Sequence, residues 1–369
     1  MKKHKLAFVC GSKAWGGLEI NQFNACCWFS ERGYDTLLFC KKDSEIEKRA
    51  KDKQLPVEYL KEHRRYKYFF AGLYFSKLIR EHRITHLICR DSKDLNICSI
   101  AKSFAFQKFF LTYIMEMQLG VSKKNFLHTA RYLKIDAWIC LLPYLKKQVL
   151  EKTKFPENRI FILPSAIEIE QFTLSKEQLK EKYALSLNSF IFGILGRIDP
   201  LKGQEEAINA FNLLPDLSFI LLIVGSPTLN EHSEYFEQIQ QLIEKSNLNF
   251  KNKKIYYFPH VEKINEIFPL FDVSLVCSKS ETFGMVTIES LAFGIPVIGT
   301  QSGGTPELLD NGKYGLLYTP GNIEQLKDRM LQMYQNHPFD ANQLKKYSTN
   351  FEKNHILNLF EKILFKNEK

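Results

Sequence analysis

The sequence predicts an α/β protein built from two Rossmann-like, doubly wound domains that face each other across a cleft. Short apolar runs of strand length alternate with longer segments of helical periodicity, a pattern typical of parallel sheets covered by helices on both faces. The alternation occurs twice, once in each half of the chain. With 369 residues, of which 45% are hydrophobic and 13% aromatic, the chain is long enough to form two hydrophobic cores.

Five apolar runs in each half are predicted to be strands. Those of the first half are residues 5–10, 35–40, 85–90, 109–115 and 137–142. Those of the second half are residues 190–197, 219–225, 255–261, 273–278 and 296–300. Helical patterns are predicted at residues 18–32, 175–183, 203–213 and 351–364. Each set of strands is sufficient for one doubly wound sheet.

The expected junction between the domains is the segment NRIFILPSAIEIEQF (158–172), where a short strand ends in Pro-Ser and a charged helical stretch follows. The predicted division is a first domain of residues 1–166 and a second domain of residues 167–350. Residues 351–369 have apolar positions at helical spacing, so they are expected to form a helix that packs back toward the first domain.

Charge is unevenly divided between the two halves. Residues 1–166 carry 31 Lys and Arg against 16 Asp and Glu, whereas the rest of the chain carries 20 against 25. A basic half suits nucleic acid, an anionic membrane surface or a phosphorylated substrate, and a basic surface without a partner is the plain alternative. Nucleic acid is not favoured, because the sequence has no zinc-finger, homeodomain or RRM signature.

The eight cysteines and the hydropathy pattern indicate a cytoplasmic protein. The cysteines lack C-x-x-C spacing and most lie in apolar stretches, so buried free thiols in a reducing compartment are expected, with neither disulfides nor zinc ligands. No run of about 18 uncharged apolar residues occurs, and the first residues do not resemble a signal peptide. We therefore expect a cytoplasmic location. Peripheral attachment to the inner face of the cell membrane is compatible with that expectation.

The segment GRIDPLKG (196–203) follows a predicted strand and precedes a predicted helix. In open α/β sheets ligands bind beyond the carboxyl ends of the strands, and this segment places Arg197 and Lys202 there. Arg supplies a planar fork of donors and Lys a compact charge, so the pair suits a diphosphate. The spacing alone is a weak signal, and two solvated surface cations are the alternative.

The segment ETFGMVTIE (281–289) combines two carboxylates, a glycine and the start of a helix between apolar runs. Gly284 allows a ligand to approach the backbone, and the unpaired first-turn amides of the helix form an anion site. Glu289 is placed to accept hydrogen bonds from paired hydroxyls such as those of ribose. Glu281 lies on the other side of the phosphates, where a sugar would bind. Local pairing of Glu289 and an N-cap role for Glu281 are the structural alternatives.

These motifs resemble glycosyltransferase family 4, the retaining enzymes of GT-B fold that carry an E-x7-E signature. The likeness is most specific over SKSETFGMVTIESLAFGIPVIGTQSGGTPELLDNGKYGLLYTPGN (278–322). GRIDPLKG resembles the segment of that family that carries its Arg and Lys pair. The glycine loop and first helix of the family resemble AWGGLEINQFNACCWFSERGYDTLLF (14–39), and its interdomain hinge resembles LPSAIEIEQF. The likeness extends over most of residues 5–335.

The resemblance implies a role for each matched residue. Glu289 would hold the ribose, Glu281 the donor sugar, and Arg197 with Lys202 the leaving diphosphate. The remaining donor contacts would come from the residues of the two glycine loops, which are Gly16, Gly17, Phe283, Gly284 and Met285. The substrate would be a UDP- or GDP-linked sugar, and no separate cofactor is expected. In this family the acceptor is thought to attack from the face that the leaving group vacates.

The sequence lacks a metal-binding triplet and a histidine that the resemblance to family 4 would lead one to look for on the acceptor side. The sequence contains no D-x-D triplet, so metal-independent transfer is predicted; the near match Glu168-Ile169-Glu170 falls at the hinge. Many family members have a histidine at the end of a first-domain strand near the reacting sugar, but LTYIMEMQLG (111–120) has none. Glu116 is the candidate catalytic group there, and a satisfied strand-end carboxylate is the alternative.

The expected function is transfer of a hexose from a nucleotide sugar to a saccharide acceptor in cell-surface polysaccharide or lipopolysaccharide assembly. The stretch KEHRRYKYFFAGLYFSKLIREHR (61–83) interleaves cations with aromatic residues, which is typical of contact with anionic lipid headgroups, and a core helix with a basic outer face is the alternative. A lipid-linked saccharide is therefore one expected acceptor. A sugar-nucleotide epimerase of the same fold and a non-catalytic scaffold subunit stay open. An oxidoreductase is disfavoured because G-x-G-x-x-G is missing.

Overall fold

The chain folds into two compact α/β units in a computed structural model that describes residues 4–62, 68–168, 174–227, 233–259 and 264–366. The first unit comprises Met1–Ser165 together with Ile356–Lys369, and the second comprises Ala166–His355. The division after Ser165 lies one residue before the boundary expected from the sequence. The chain therefore passes from one unit to the other twice.

The first unit is built on a seven-stranded parallel sheet with the order β3-β2-β1-β4-β5-β6-β7. Its strands are β1 (Lys5–Cys10), β2 (Asp35–Cys40), β3 (Val57–Tyr59), β4 (His86–Cys89), β5 (Phe110–Met115), β6 (Ala137–Cys140) and β7 (Ile160–Ile162). The central strands are buried on both faces, which explains why their sequences are continuous apolar runs. The reversal of strand order beside β1 is the Rossmann switch point, where loops at the carboxyl ends diverge to opposite faces.

Seven helices accompany this sheet among the described residues. They are α1 (Gly17–Glu31), α2 (Glu45–Asp52), α3 (Phe69–Glu81), α4 (Leu95–Phe104), α5 (Phe126–Tyr132), α6 (Pro143–Lys152) and the C-terminal α14 (Lys353–Leu364). α14 packs on the first unit: the ring of Phe360 meets that of Phe29 at 5.3 Å between centroids, and Arg32 donates to Asn358 at 2.8 Å and pairs with Glu361. The last helix thus supplies part of the core of the first unit.

The second unit repeats the same plan on a six-stranded parallel sheet with the order β10-β9-β8-β11-β12-β13. Its strands are β8 (Phe190–Leu195), β9 (Phe219–Val224), β10 (Lys254–Phe258), β11 (Val273–Val276), β12 (Val297–Thr300) and β13 (Gly315–Tyr318). Its helices are α7 (Lys176–Lys182), α8 (Gln204–Asn212), α9 (Ser233–Asn249), α10 (Met285–Ala292), α11 (Thr305–Leu308), α12 (Ile323–Asn336) and α13 (Ala341–Ser348). Both sheets therefore have the Rossmann strand order, and the predicted fold class is confirmed.

The two segments that lead into and out of the second unit lie side by side. The amide of Ile167 donates to the carbonyl of Phe351, and the amide of Lys353 donates to the carbonyl of Ile167, both at 2.9 Å. Lys353 also pairs with Glu168 at 2.9 Å. Of the predicted hinge, Ile169 to Phe172 lie outside the described residues, as does the second half of the Glu168-Ile169-Glu170 match.

All ten predicted strands are present: two have the predicted ends, and the ends of the others differ by up to three residues. The sequence did not single out β3 and β13. Residues 57–59 are half-buried or exposed at the sheet edge and include a glutamate, so they lack the apolar signal of a central strand. β13 starts at Gly315, where a Cβ atom would lie 2.6 Å from the carbonyl oxygen of Val297, and this glycine interrupts the apolar run.

The cysteines are free thiols, as predicted, and seven of the eight are buried. Burial raises the pKa of Cys40, Cys140 and Cys277 to about 12, so these thiols stay protonated and behave as small apolar core residues. Within the described ranges, no helix is both long and apolar enough to cross a membrane.

The packing of α14 predicts a large effect of truncating its central aromatic side chain. Phe360 is 3% exposed, so Phe360→Ala leaves a cavity and should lower the free energy of unfolding of the first unit by about 3–5 kcal/mol. Lys362→Ala is the matched control, because this side chain is exposed on the same helix. Urea denaturation followed by Trp fluorescence measures both variants. Equal stability of the two variants would contradict the assignment of α14 to the first core.

Candidate functional site

The loop after β8 has a fixed backbone at the start of α8. Residues 196–203 connect the strand to the helix. The amide of Leu201 donates to a carboxylate oxygen of Asp199, and the amide of Lys202 donates to the Asp199 carbonyl, both at 2.8 Å. Asp199 therefore closes a turn that determines where Lys202 leaves the backbone.

This loop packs closely against the segment that follows β11. Gly203 has φ +75°, and a Cβ atom there would lie 2.3 Å from the carbonyl oxygen of Cys277. The amide of Lys279 donates to the carbonyl of Leu201 at 2.9 Å. A side chain at position 203 would force the two segments apart, so the glycine is required both for its backbone conformation and for the close approach.

Lys202 and Glu281, two of the predicted site residues, are in direct contact. The ammonium of Lys202 lies 2.5 Å from Oε1 of Glu281, and the Ser278 hydroxyl donates to the same oxygen at 2.6 Å. The side chains of Lys202 and Glu281 are 28% and 17% exposed. Arg197 lies on the same loop as Lys202 and is exposed. The partly solvated ion pair thus leaves both groups accessible to a ligand.

A third glycine-rich segment joins the same edge of the sheet. Gly303 forms a parallel β-bridge with Glu281, and the amide of Gly304 donates to the Glu281 carbonyl at 2.9 Å. A Cβ atom on Gly303 would lie 2.2 Å from that carbonyl oxygen. The Thr300 hydroxyl donates to the Ser278 carbonyl at 2.7 Å. The backbone of Glu281 is therefore held by its neighbours on both sides.

The N-terminus of α10 opens at Gly284, which has the left-handed φ of +100°. The first-turn amides of an α-helix have no intrahelical partner, and the helix dipole adds partial positive charge there. Phe283 directly before it is 5% exposed, and its ring meets that of Phe351 at 6.3 Å. The Phe283 side chain thus belongs to the core, so any ligand contact at this residue has to come from its backbone.

Glu289 lies in the second turn of α10 and is half-buried. Among the described residues, no hydrogen bond or ion pair reaches its carboxylate. Burial raises the pKa of Glu289 to about 7. A carboxylate kept in this setting without a protein partner is suited to accept hydrogen bonds from a ligand.

The second unit therefore combines several anion-binding and hydroxyl-binding groups at the carboxyl edge of one sheet. Arg197 and Lys202 provide positive charge, the α10 N-terminus provides amides, and Glu281 and Glu289 provide carboxylates. Such a set can hold a phosphate group together with a polyhydroxylated molecule. The structure thus brings the predicted motifs GRIDPLKG and ETFGMVTIE together at Lys202 and Glu281. The predicted glycine loop AWGG belongs to the first unit.

Glu116, the candidate catalytic residue of the first unit, forms an ion pair with Arg90. Both side chains are 9% exposed, and Asn21 also donates to Glu116, at 3.3 Å. Arg90 is held in turn by Gln22, whose carbonyl oxygen accepts from Nε of Arg90 at 3.0 Å. The amide nitrogen of Gln22 donates to the carbonyls of Val9 and Ile88. Glu116 is therefore a partnered strand-end carboxylate, and a catalytic role for it stays a prediction.

Gly16 and Gly17 lie at the N-terminus of α1, in the loop after β1. The amide of Gly16 donates to the carboxylate of Glu19 at 3.0 Å, which satisfies the backbone N–H of the N-cap residue. A Cβ atom on Gly17 would meet no atom within 4 Å, so the backbone there is open to approach. Donor contact by these two glycines stays a prediction.

Three residues at these sites were not found by sequence reasoning. Ser278 donates a hydrogen bond to the Glu281 carboxylate, and Arg90 pairs with Glu116. Gly303 lacks a side chain, which allows the backbone of Glu281 to pack directly against it. A serine and a glycine in a loop have no distinctive spacing. Arg90 was visible as the charged residue that ends the run THLICR, and a strand-end cation beside a strand-end carboxylate of a neighbouring strand is a usable signal.

The basic aromatic stretch 61–83 is described in part. Residues 63–67 lie outside the described residues. Residues 69–81 form α3, which buries Phe75, Leu78 and Ile79 and exposes Lys77 and Arg80. This part of the stretch is a core helix with a basic outer face, which was the alternative to contact with lipid headgroups.

The fold and the site together define a GT-B protein, and solved structures agree. The chain superposes on a glycosyltransferase from Rickettsia africae ESF-5 with a TM-score of 0.88 at 18% identity, over 100% of both chains. It superposes on Anabaena Alr3699/HepE, solved in complex with UDP and glucose, with a TM-score of 0.82 at 18% identity, over 98% of this chain and 100% of that one. At this level of identity the likeness defines the fold.

Residues 175–353, just under half of the chain, match the family model described as glycosyl transferases group 1. The capsular polysaccharide biosynthesis glycosyltransferase CapM of Staphylococcus aureus is 26% identical over 60% of this chain and 55% of its own. N-acetyl-alpha-D-glucosaminyl L-malate synthase of Bacillus anthracis is 27% identical over 46% and 43%. The aligned parts span about half of each relative. The predicted glycosyltransferase resemblance is confirmed.

Burial of Glu289 predicts a pH-dependent stability that Glu289→Gln removes. The pKa is raised from 4.5 to about 7 in the folded protein, so the folded state binds this proton more tightly than the unfolded chain. The free-energy cost of burying the charged carboxylate therefore grows as the pH rises from 4.5 to about 7, and it stays constant above that range. Glu289→Gln should be more stable than the native protein by about 1–2 kcal/mol at pH 8, after allowance for partial solvation, and by much less at pH 4.5. Urea titrations at both pH values measure this, and an equal difference at both would contradict it.

The Arg90–Glu116 pair predicts strongly non-additive mutational effects. Removing one partner leaves the other charge buried, so Arg90→Met and Glu116→Leu should each cost about 3–5 kcal/mol of stability. The double variant should cost much less than the sum, because no unpaired charge remains. A double-mutant cycle by urea unfolding measures the coupling; additive losses would show that the pair is not a coupled unit.

Proposed function

We propose that the protein is a retaining glycosyltransferase that moves a hexose from a UDP- or GDP-linked sugar to a saccharide or lipid-linked saccharide acceptor. It acts in cell-surface polysaccharide or lipopolysaccharide assembly, on the cytoplasmic side of the membrane. The observation that carries the proposal is the half-buried carboxylate of Glu289, which lies on α10, the helix that follows the Lys202–Glu281 ion pair. No protein group satisfies that carboxylate among the described residues, whereas paired ribose hydroxyls would.

The cations explain how the leaving group is stabilised. Departure of a nucleoside diphosphate develops negative charge on phosphate oxygens, and preorganised positive groups lower the barrier when they face that charge. In this structure Lys202 is paired with Glu281. A diphosphate offers Lys202 a more highly charged partner, which leaves the Glu281 carboxylate to accept hydrogen bonds from the donor sugar. Arg197 and the α10 amides add to the same binding region.

Metal independence is part of this proposal. In a metal-dependent transferase a divalent cation compensates the diphosphate charge. Here Arg197 and Lys202 supply two positive charges to the site, and the helix N-terminus supplies dipolar stabilisation. Retention of configuration and the attack of the acceptor on the vacated face come from the resemblance to family 4. Glu116 is the acceptor-side candidate, with Arg90 as the group that positions it.

The relatives support the substrate class. HepE is described in complex with UDP-glucose, which is the type of donor proposed here. CapM is described as a capsular polysaccharide enzyme, and structural neighbours include the lipopolysaccharide outer core galactosyltransferase WaaB. These names concern other proteins. The N-acetyl-alpha-D-glucosaminyl L-malate synthase is named for a small acceptor, so the choice of a saccharide acceptor at a membrane surface rests on CapM, WaaB and the basic first half of this chain.

Thermal shift with UDP, GDP, ADP, CMP and their common sugar conjugates, in the presence of EDTA, tests the donor site. A ligand at about 100 times its dissociation constant adds roughly 2.7 kcal/mol of stability, which gives a clear rise in melting temperature. One base class should stabilise the native protein and fail to stabilise Glu289→Ala. Glu244→Ala is the matched control, because Glu244 is exposed on α9 of the same unit.

The outcomes separate the alternatives. Hydrolysis or transfer of the stabilising sugar nucleotide that falls at least a hundredfold in Lys202→Ala would support a transferase. Conversion of the donor to an isomer without any acceptor would indicate an epimerase. No response to any nucleotide would reject the proposed donor site and leave the scaffold alternative.

A further inference from the structure

The first unit displays four phenylalanine side chains where α3 begins and α4 ends. They are Phe69 (50% exposed), Phe70 (83%), Phe104 (41%) and Phe106 (92%). The ring of Phe69 lies 5.8 Å from that of Phe70 and 6.0 Å from that of Phe104. We call this set the aromatic face. Single exposed apolar residues are ordinary, but the exposed rings of Phe69, Phe70 and Phe104 adjoin one another, and a group of this kind marks an interaction surface.

The aromatic face stands on a rigid support. α3 and α4 pack against each other at Gly72, where a Cβ atom would lie 2.6 Å from Cβ of Ile100. This close approach brings the start of α3 to the end of α4, and so places Phe69 beside Phe104. On the same helices Phe75 and Ile97 are each 1% exposed and anchor them in the core. The exposed rings are thus held in a defined position.

Phe106 has an unusual backbone conformation. It lies just beyond α4 and has the left-handed φ of +51°. This position after a helix normally holds glycine, because a side chain with a Cβ atom is strained there. A large apolar residue that is both strained and 92% exposed gains nothing from the fold itself. The ring is therefore best explained by a contact outside the chain.

Positive charge accompanies the aromatic face. Lys108 is exposed two residues after Phe106, and the ammonium of Lys61 lies 4.3 Å from the ring of Tyr74 on α3. Residues 1–166 carry 31 Lys and Arg against 16 Asp and Glu. Aromatic rings flanked by cations match the interface of an anionic bilayer, where rings enter the acyl boundary and cations meet headgroup phosphates.

We propose that the aromatic face inserts into an anionic lipid bilayer and docks the first unit on the membrane. The identity of the lipid-linked acceptor rests on the proposed function, but the docking does not require catalysis. The sequence pattern pointed to residues 61–83 alone. The structure adds Phe104 and Phe106 from a separate helix, and these contribute the most exposed ring of the set. The rings protrude around two helix ends, which suits a fluid surface more than a complementary protein partner.

Vesicle co-sedimentation with the full chain tests the proposal. Vesicles of equal parts phosphatidylglycerol and phosphatidylcholine should bind the native protein, and pure phosphatidylcholine vesicles should bind it much more weakly. Phe70→Ser/Phe106→Ser should lose at least tenfold in partition coefficient, because burial of one Phe ring alone contributes roughly tenfold. The control Leu248→Ser removes an equally exposed side chain (86%) from the second unit and should bind as the native protein does.

Salt separates the two contributions. About 1 M NaCl shortens the Debye length to about 3 Å, so it should weaken binding without abolishing it if the rings insert. Unchanged binding of Phe70→Ser/Phe106→Ser would overturn the proposal, as would equal binding to neutral vesicles. A native dimer in sedimentation velocity that this variant abolishes would show that a second copy covers the face, and would also overturn it.

The nucleotide thermal shift keeps the two proposals apart. Phe70→Ser/Phe106→Ser should retain the melting temperature of the native protein and its shift with the stabilising nucleotide, because both substituted side chains lie in solvent. Lost vesicle binding with an intact nucleotide shift supports the aromatic face. Intact vesicle binding without any nucleotide response would leave the face standing and reject the donor site.

Discussion

The candidate site depends on one steric constraint: at two points the backbone of one loop touches the backbone or carbonyl of another at a distance that excludes a side chain. Gly203 lies against the carbonyl of Cys277, and Gly303 against that of Glu281. Parallel strands bring their carboxyl ends to the same sheet edge, and these contacts bring the loops close to each other. The Lys202–Glu281 ion pair follows from that approach, because its two residues are 79 positions apart in sequence.

The site also departs from what stability alone would favour. The chain keeps the Glu289 carboxylate in a setting that raises its pKa to about 7 and gives it no protein partner within the described residues. By contrast, the carboxylate of Glu116 is matched with an arginine and an asparagine. A buried charge without a partner costs folding free energy, and such costs are usual where a ligand supplies the missing contact. The two carboxylates thus illustrate different solutions to the same problem of burial.

Much of the fold could be read from the sequence because its signals are local. The ten predicted strands are apolar runs, and the helices have periodic patterns, so their existence and order were predictable. β3 and β13 were missed because an edge strand of three residues and a strand that begins at glycine lack that signal. Within the site, the motif residues were found because charge stands out after an apolar strand. Ser278, Gly303 and Arg90 depend on contacts between distant segments, which one sequence does not display.

The insertion of the second unit between two parts of the first has a consequence for folding during synthesis. The first unit contains residues up to Ser165 and then again from Ile356, so its core lacks α14 until the whole second unit has been made. The second unit is continuous in sequence and has all of its strands before that point. On the ribosome the second domain can therefore complete its fold while the first still exposes the groove that Phe360 fills. α14 therefore closes the first unit, and a nascent chain stopped at His355 would carry one finished domain and one unfinished one.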